Sequence, residues 1–155
     1  MNTPTDEDIA YMRQTLRIAQ DSGKRDEVPI AAIVVRKGKV IAQSGNKKQA
    51  QTNPMAHAEC EAIQEATGYL RNWRLEHSTL YVTAEPCLMC TGLIYAARVP
   101  RVVFGCTNPK GGSLQYIEER RQELNLNHSV EIIGNVLENE AATLLKNFFQ
   151  GKRYT

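Results

Sequence analysis

The sequence has no long hydrophobic run. None of its apolar stretches approaches the ~18 residues that a membrane-spanning helix needs, which argues against a membrane protein. The opening stretch, MNTPTDEDIAYMRQ, starts acidic and has no apolar centre, so no signal peptide is visible and the expected compartment is the cytoplasm. A strong charge of one sign is also missing. Nineteen Lys and Arg against 17 Asp and Glu leave a net +2, short of the large excess that marks a dedicated nucleic-acid binder. That balance leaves RNA contact open, because the basic residues cluster locally: Arg36, Lys37 and Lys39, then Lys47 and Lys48, then Lys146, Lys152 and Arg153. No internal repeat, low-complexity tract or linker divides the 155 residues, which suits a single domain over 1–155. Cysteine is sparse, with four residues, and in a cytoplasmic chain lasting disulfides are not expected. Metal or redox chemistry is the reading that remains for the close pair Cys87 and Cys90.

Hydrophobic spacing supplies the elements. Ile9, Met12, Leu16 and Ala19 mark one face of a helix over 6–22, with Thr5 placed to cap it. VPIAAIVVRKGKVIAQSGN holds two β-branched runs around Lys37-Gly38 and reads as a hairpin. A helix is predicted over 55–67, ended by Gly68. STLYVTA at 78–84 is a buried strand, 87–97 a helix, RVVFG at 101–105 a strand and 113–124 helical. SVEIIG at 129–134 is a last strand, and 138–150 a closing helix with Ala141, Leu144, Leu145 and Phe148 inward. Strands alternating with helices after an opening hairpin predict a layered α/β domain with helices on both faces of a mixed sheet.

Two strand-to-helix crossings end on reactive residues. Cys87 and Cys90 are three apart, so on a first helical turn both sulfurs face one side. A helix N-terminus favours the thiolate, the form that binds metal. His57, near another helix start, adds an imidazole, and two thiolates with one imidazole suit zinc. Three protein ligands leave one tetrahedral position for water, whose pKa zinc lowers to about 7. Cys60, three residues after His57, is the residue that could instead close the shell and make a structural site. Glu59 is the candidate proton carrier, worth ~10²–10⁴-fold in such chemistry. Periodicity alone does not bring it to the metal, since residues 57 and 59 of a regular helix point about 200° apart.

The motif His57-Ala-Glu59, followed thirty residues on by Pro86-Cys87-x-x-Cys90, carries the signature of the zinc nucleobase deaminases. With TLYVTAEPCLMCTGLIYAARVPRVVFG around it, the chain resembles the cytidine deaminase-like superfamily. NWRL at 72–75, LNHSVEI at 126–132 and LLKNFF at 144–149 resemble the branch of bacterial tRNA-specific adenosine deaminases. The likeness runs from about residue 27 to residue 153. It implies a three-layer α/β/α sandwich around a five-stranded mixed sheet, a homodimer, Zn2+ as cofactor, and hydrolysis of adenosine to inosine at the wobble position of a tRNA anticodon loop. His57, Cys87 and Cys90 match the zinc ligands and Glu59 the proton shuttle. Asn46 matches a residue that contacts the purine, the Ala58 N–H a contact at the scissile end of the base, and Phe149 and Arg153 an RNA-touching C-terminal region.

The sequence also departs from that pattern. Ala31 stands where glycine is usual, Asn108 where aspartate is common, and the loop near 110–113 is about three residues short. These departures leave the zinc chemistry intact and bear on the substrate, so a free nucleobase or nucleoside such as guanine is the alternative. Two readings from other classes are a structural-zinc binding module and a thiol–disulfide oxidoreductase. The second leaves His57 and Glu59 without a task.

Overall fold

The computed structural model of the chain describes residues 2–153, with the backbone alone at Arg153. Helix α1 (Asp6–Lys24) starts in a capping box. The Thr5 hydroxyl accepts the Asp8 N–H at 3.0 Å, and the Asp8 carboxylate accepts the Thr5 N–H at 2.9 Å. Strands β1 (Ala31–Arg36) and β2 (Lys39–Gly45) form the predicted hairpin. Its two-residue turn has φ 52° at Lys37 and 74° at Gly38, the conformation that suits the twist of paired strands. Then follow α2 (Ala58–Leu70), β3 (Ser78–Ala84), α3 (Leu88–Ala96), β4 (Arg101–Cys106), α4 (Leu114–Glu119), β5 (Glu131–Ile133) and α5 (Glu138–Arg153).

The five strands form one sheet in the order β2-β1-β3-β4-β5. β1 is antiparallel to both of its neighbours, whereas β3, β4 and β5 are parallel. All strands but β1 therefore run the same way. Side-chain alternation splits the core between the two faces. Ala32, Val34, Leu80, Val82, Val102 and Phe104 pack under α2, α3 and α4. Ile33, Val35, Tyr81, Val103 and Ile133 meet Met12 of α1 on the other face. Beside them Ala141 of α5 packs on Ala84 and Cys106. The expected three-layer α/β/α sandwich around a five-stranded mixed sheet is the observed fold. Gly105 lets α5 lie close to the sheet, since a Cβ there would sit 2.4 Å from the Thr83 carbonyl oxygen and 2.9 Å from the Ala141 Cβ.

Several boundaries differ from the sequence reading: α1 and α5 run on to Lys24 and Arg153, and α3 starts at Leu88, after Cys87. The helix expected from residue 55 starts at Ala58, because Asn53 to Ala56 form a turn in which the Asn53 side chain accepts the Met55 N–H. Gly68 does not end it. Leu70 still packs on the core, and Arg71 takes the left-handed terminating position at φ 52°. The helix expected over 113–124 stops at Glu119, and residues after it turn toward β5 while Glu118 accepts the Val130 N–H. The last strand is shortened to three residues.

Candidate metal centre and active site

β2 and β3 lie on either side of β1 and run parallel to each other, and α2 and α3 each follow one of them. Both helices therefore begin at the same edge of the sheet, outside the carboxyl ends of the strands, where ligands of open α/β sheets gather. His57 is the N-cap of α2 and Cys87 the N-cap of α3. Both have extended backbones, at φ −73°, ψ 151° and φ −72°, ψ 177°, and neither makes a side-chain capping bond. Their side chains are turned toward each other instead. The His57 Nδ1 lies 3.6 Å from the Cys87 Sγ and 3.6 Å from the Cys90 Sγ.

These three donors lie within 4.8 Å of one another and form the candidate metal cluster among the described residues. Bond lengths of about 2.3 Å to sulfur and 2.0–2.1 Å to nitrogen place tetrahedral zinc donors roughly 3.6 Å apart. The observed spacings fit. Cys60 does not join the set. Its sulfur lies 3.7 Å from Cys90, in contact with that one ligand from within the core, and Cys60 is only 5% exposed. The cluster holds three protein donors, and two of them, His57 and Cys87, line the adjoining cavity.

That cavity has a volume of about 210 Å³, and Asn46, His57, Ala58, Glu59, Glu85 and Cys87 are among its lining. Glu59 and His57 thus share one pocket despite their spacing in sequence. The reason is the extended conformation of His57, which takes its ring out of the helical repeat. Burial pushes the Glu59 carboxyl up from the usual range. The Cys87 thiol is held down at about 5, first by the hydrogen bond from Cys90 and further by His57. Cys90 is pushed up as the donor between Cys60 and Cys87.

Asn46 is buried at the rim of β2, and its Oδ1 accepts the Lys48 N–H at 2.9 Å. Ala58 supplies one of the first N–H groups of α2, which have no carbonyl partner within the helix. A second cavity, about 680 Å³, borders the first and shares Val28, Ile30 and Asn108 with it. Its outer wall includes Pro109, Lys110, Leu145, Phe149 and Lys152. Phe149 is half exposed there, not a core residue, and its ring meets Phe148 edge-on. Arg153 closes α5, and its side chain lies outside the described residues.

Residue order did not single out two buried carboxylates, Glu85 in the lining of the smaller cavity and Glu27 directly before its lining residue Val28. Glu85 accepts the Gln115 N–H at 3.1 Å and so ties α4 to the end of β3. Gly112 leaves room for it, since a Cβ there would meet the Glu85 Oε1 at 2.4 Å. Glu27 holds the loop after Asn46. A carboxylate directly before Pro86-Cys87 was the visible signal for Glu85. Glu27 offered none, because its partners are backbone groups more than twenty residues away.

Residues 6–153 match the MafB19-like deaminase family. The chain belongs to that family. It is 41% identical over 147 residues to the tRNA-specific adenosine deaminase of Bacillus subtilis (strain 168), covering 95% of this chain and 91% of the relative. With the tRNA-specific adenosine deaminase of Streptococcus pyogenes serotype M1 it shares 34% identity, over 96% of this chain and 86% of that one. A solved structure from a study of A-to-I editing by tRNA:A34 deaminases superposes with a TM-score of 0.82 at 38% identity, covering 88% of this chain and 99% of that one. The guanine deaminase of Nitrosomonas europaea has the same fold, with a TM-score of 0.78 at 23% identity, covering 96% and 85%. The expected likeness to cytidine deaminase-like enzymes, and to the branch acting on adenosine in tRNA, is borne out.

Proposed function

We propose that this deaminase hydrolyses adenosine to inosine at the wobble position of a tRNA anticodon, with zinc held by His57, Cys87 and Cys90. The observation that carries the reading is the three-donor cluster at zinc spacing with the buried Glu59 in the same cavity. The 41% identity to a tRNA-specific adenosine deaminase over 95% of the chain supports the substrate. A zinc ion held there would supply Lewis acidity and would lower the pKa of a bound water to about 7.

The chain's own groups do the rest. Glu59 takes a proton from the attacking water and gives it to ring nitrogen N1 as the water oxygen bonds to C6. It then carries the second proton to the amino group, which leaves as ammonia. The raised carboxyl suits this exchange, because a general acid–base works best with a pKa near that of its task. The Ala58 N–H and the Asn46 side chain orient the base, while Val28, Ile30 and Ala84 keep water from it. The larger cavity, with Phe149 on its wall and Lys110 and Lys152 at its edge, receives the flanking nucleotides of a splayed loop. Arg153 at the end of α5 is assigned to the same RNA contact.

The large apolar side chains Leu88, Met89 and Met55 are exposed close to the metal ligands. We assign them to a homodimer interface and place the protein in the cytoplasm as one 155-residue domain. No helix among the described residues is long and apolar enough to cross a membrane.

The test is ammonia release from an anticodon stem-loop bearing adenosine, with guanine, adenine and cytidine as parallel substrates. Activity on the stem-loop is the expected result. Activity on guanine alone overturns the substrate and keeps the chemistry. No activity on any of them, with one zinc retained per chain, leaves a structural-zinc module.

A further inference from the structure

Glu27 has no task in the reaction described above, yet it is placed as if the site depended on it. It is 3% exposed and forms no ion pair among the described residues. A carboxylate is costly to bury unless its oxygens are hydrogen-bonded. Here both are: they accept the backbone N–H of Gln49 at 3.0 Å and of Ala50 at 2.8 Å. The N–H just before them, of Lys48, ends on the Asn46 Oδ1 at 2.9 Å. Three successive amides of one loop thus terminate on two side chains. The loop is tied at its root as well, by the Lys47 N–H on the Ala56 carbonyl at 2.9 Å.

This arrangement decides which end of the Asn46 amide a ligand meets. A backbone N–H can be accepted only by the amide oxygen, so the Oδ1 is committed to the loop. The Nδ2, a donor, is the atom left for the cavity that Asn46 lines. Around C6 of a purine the ring acceptors are N1 and N7. N1 receives the proton from Glu59, which leaves N7 for a donor. We propose that Glu27 is a positioning residue for substrate recognition: by anchoring the amides of residues 49 and 50 it holds Asn46 as a fixed hydrogen-bond donor to purine N7. The inference rests on the purine deaminase reading above. Glutamine cannot replace Glu27, because it offers one acceptor oxygen and sets an N–H against the second loop N–H.

The test compares an anticodon stem-loop bearing adenosine with one bearing 7-deazaadenosine, which lacks the N7 lone pair. Both are assayed on wild type, Glu27→Gln and Asn46→Ala. In wild type the deaza substitution is expected to lower kcat/KM about tenfold, the scale of one unsatisfied hydrogen bond. In Glu27→Gln and in Asn46→Ala that penalty shrinks to below about threefold, because the donor is no longer held in place or is gone. On the natural base Glu27→Gln loses about tenfold in kcat/KM, carried by KM, with zinc content unchanged. A tenfold deaza penalty that persists in Glu27→Gln overturns the proposal. So does a loss carried wholly by kcat, which would place Glu27 in the chemistry or in the fold. If Glu27→Gln does not fold, Ala50→Pro removes one loop N–H from the other side and is judged by the same two results. A wild type that deaminates guanine and not the stem-loop overturns the substrate reading alone, and 7-deazaguanine then makes the same comparison. A wild type inactive on both overturns both.

Discussion

Replacing Asp8 by Asn is expected to destabilise the fold by about 3 kcal/mol at pH 7, the lower end of the range for breaking a buried pair. Asp8 is 1% exposed and its two oxygens accept four hydrogen bonds. Oδ1 takes the Tyr81 hydroxyl at 2.7 Å and the Arg101 Nη1 at 2.8 Å. Oδ2 takes the Arg101 Nη2 at 2.7 Å and the Thr5 N–H at 2.9 Å. An Asn of the same volume keeps one acceptor oxygen and turns the other into a donor facing two donors. The attraction at stake is about 4 kcal/mol for charges ~4 Å apart at an effective dielectric of about 20. Arg101 keeps a second carboxylate, Glu131, at 3.5 Å, and its side chain is 21% exposed, which places the loss at the low end. For a chain of this length about 3 kcal/mol moves the melting temperature by about 6–12 °C.

The pH dependence has a definite sign. Burial pushes the Asp8 carboxyl up, and the Arg101 guanidinium, the Thr5 N–H and the Tyr81 hydroxyl together outweigh it and hold it well below the usual range. A depressed carboxyl stabilises fully above its unfolded value of about 3.9, and that contribution is lost as pH falls through the folded value. Urea titrations of wild type and Asp8→Asn between pH 8 and pH 3 should give a gap that is flat down to about pH 5 and narrows below about pH 4. A gap under about 1 kcal/mol at pH 7, or one equally wide at both ends of the range, refutes the reasoning.

Three further outcomes are expected. Glu59→Gln should lower kcat by roughly 10²–10⁴-fold while metal analysis still finds one zinc per chain, since this carboxylate moves protons and does not bind the ion. Cys60→Ala should keep its zinc, whereas Cys87→Ala and Cys90→Ala should lose it, as read by a chromophoric chelator; zinc loss in Cys60→Ala would make position 60 a ligand. Gly112→Ala should raise KM several-fold with zinc retained, because the new Cβ would displace the Glu85 carboxylate and the Asn108 carbonyl that it would meet at 2.4 and 2.8 Å; an unchanged KM would free that loop of any role in binding.

The parts of this molecule that repeat with a fixed period were legible in its sequence. The face of α1 around Met12 and the alternation in β1 and β3 each follow from one local geometry, whereas Cys87, like His57, sits in an extended cap just outside the helical repeat. Features made by the tertiary structure were not legible. Glu59 looked misdirected because a periodic helix was assumed through residue 57, and the extended cap at His57 removes that assumption. The stop at Arg71 could not be read either, since glycine three residues earlier is the better terminator in isolation and packing of Leu70 decides otherwise. Glu27 was invisible for a third reason. Its partners are backbone amides, and any residue type supplies those.

The missing side chain at Gly105 has an effect at a distance. Helix α5 rests on the sheet at Ala141, directly over that glycine, and continues to Phe149. Eight residues at 1.5 Å each make a lever about 12 Å long. A methyl group at the fulcrum would tilt the arm, and the aromatic ring at its tip would swing by more than the push that caused it. The width of the outer cavity is thus calibrated by an atom that is not there, on the buried side of a strand whose own residues line neither that cavity nor the one beside the metal donors.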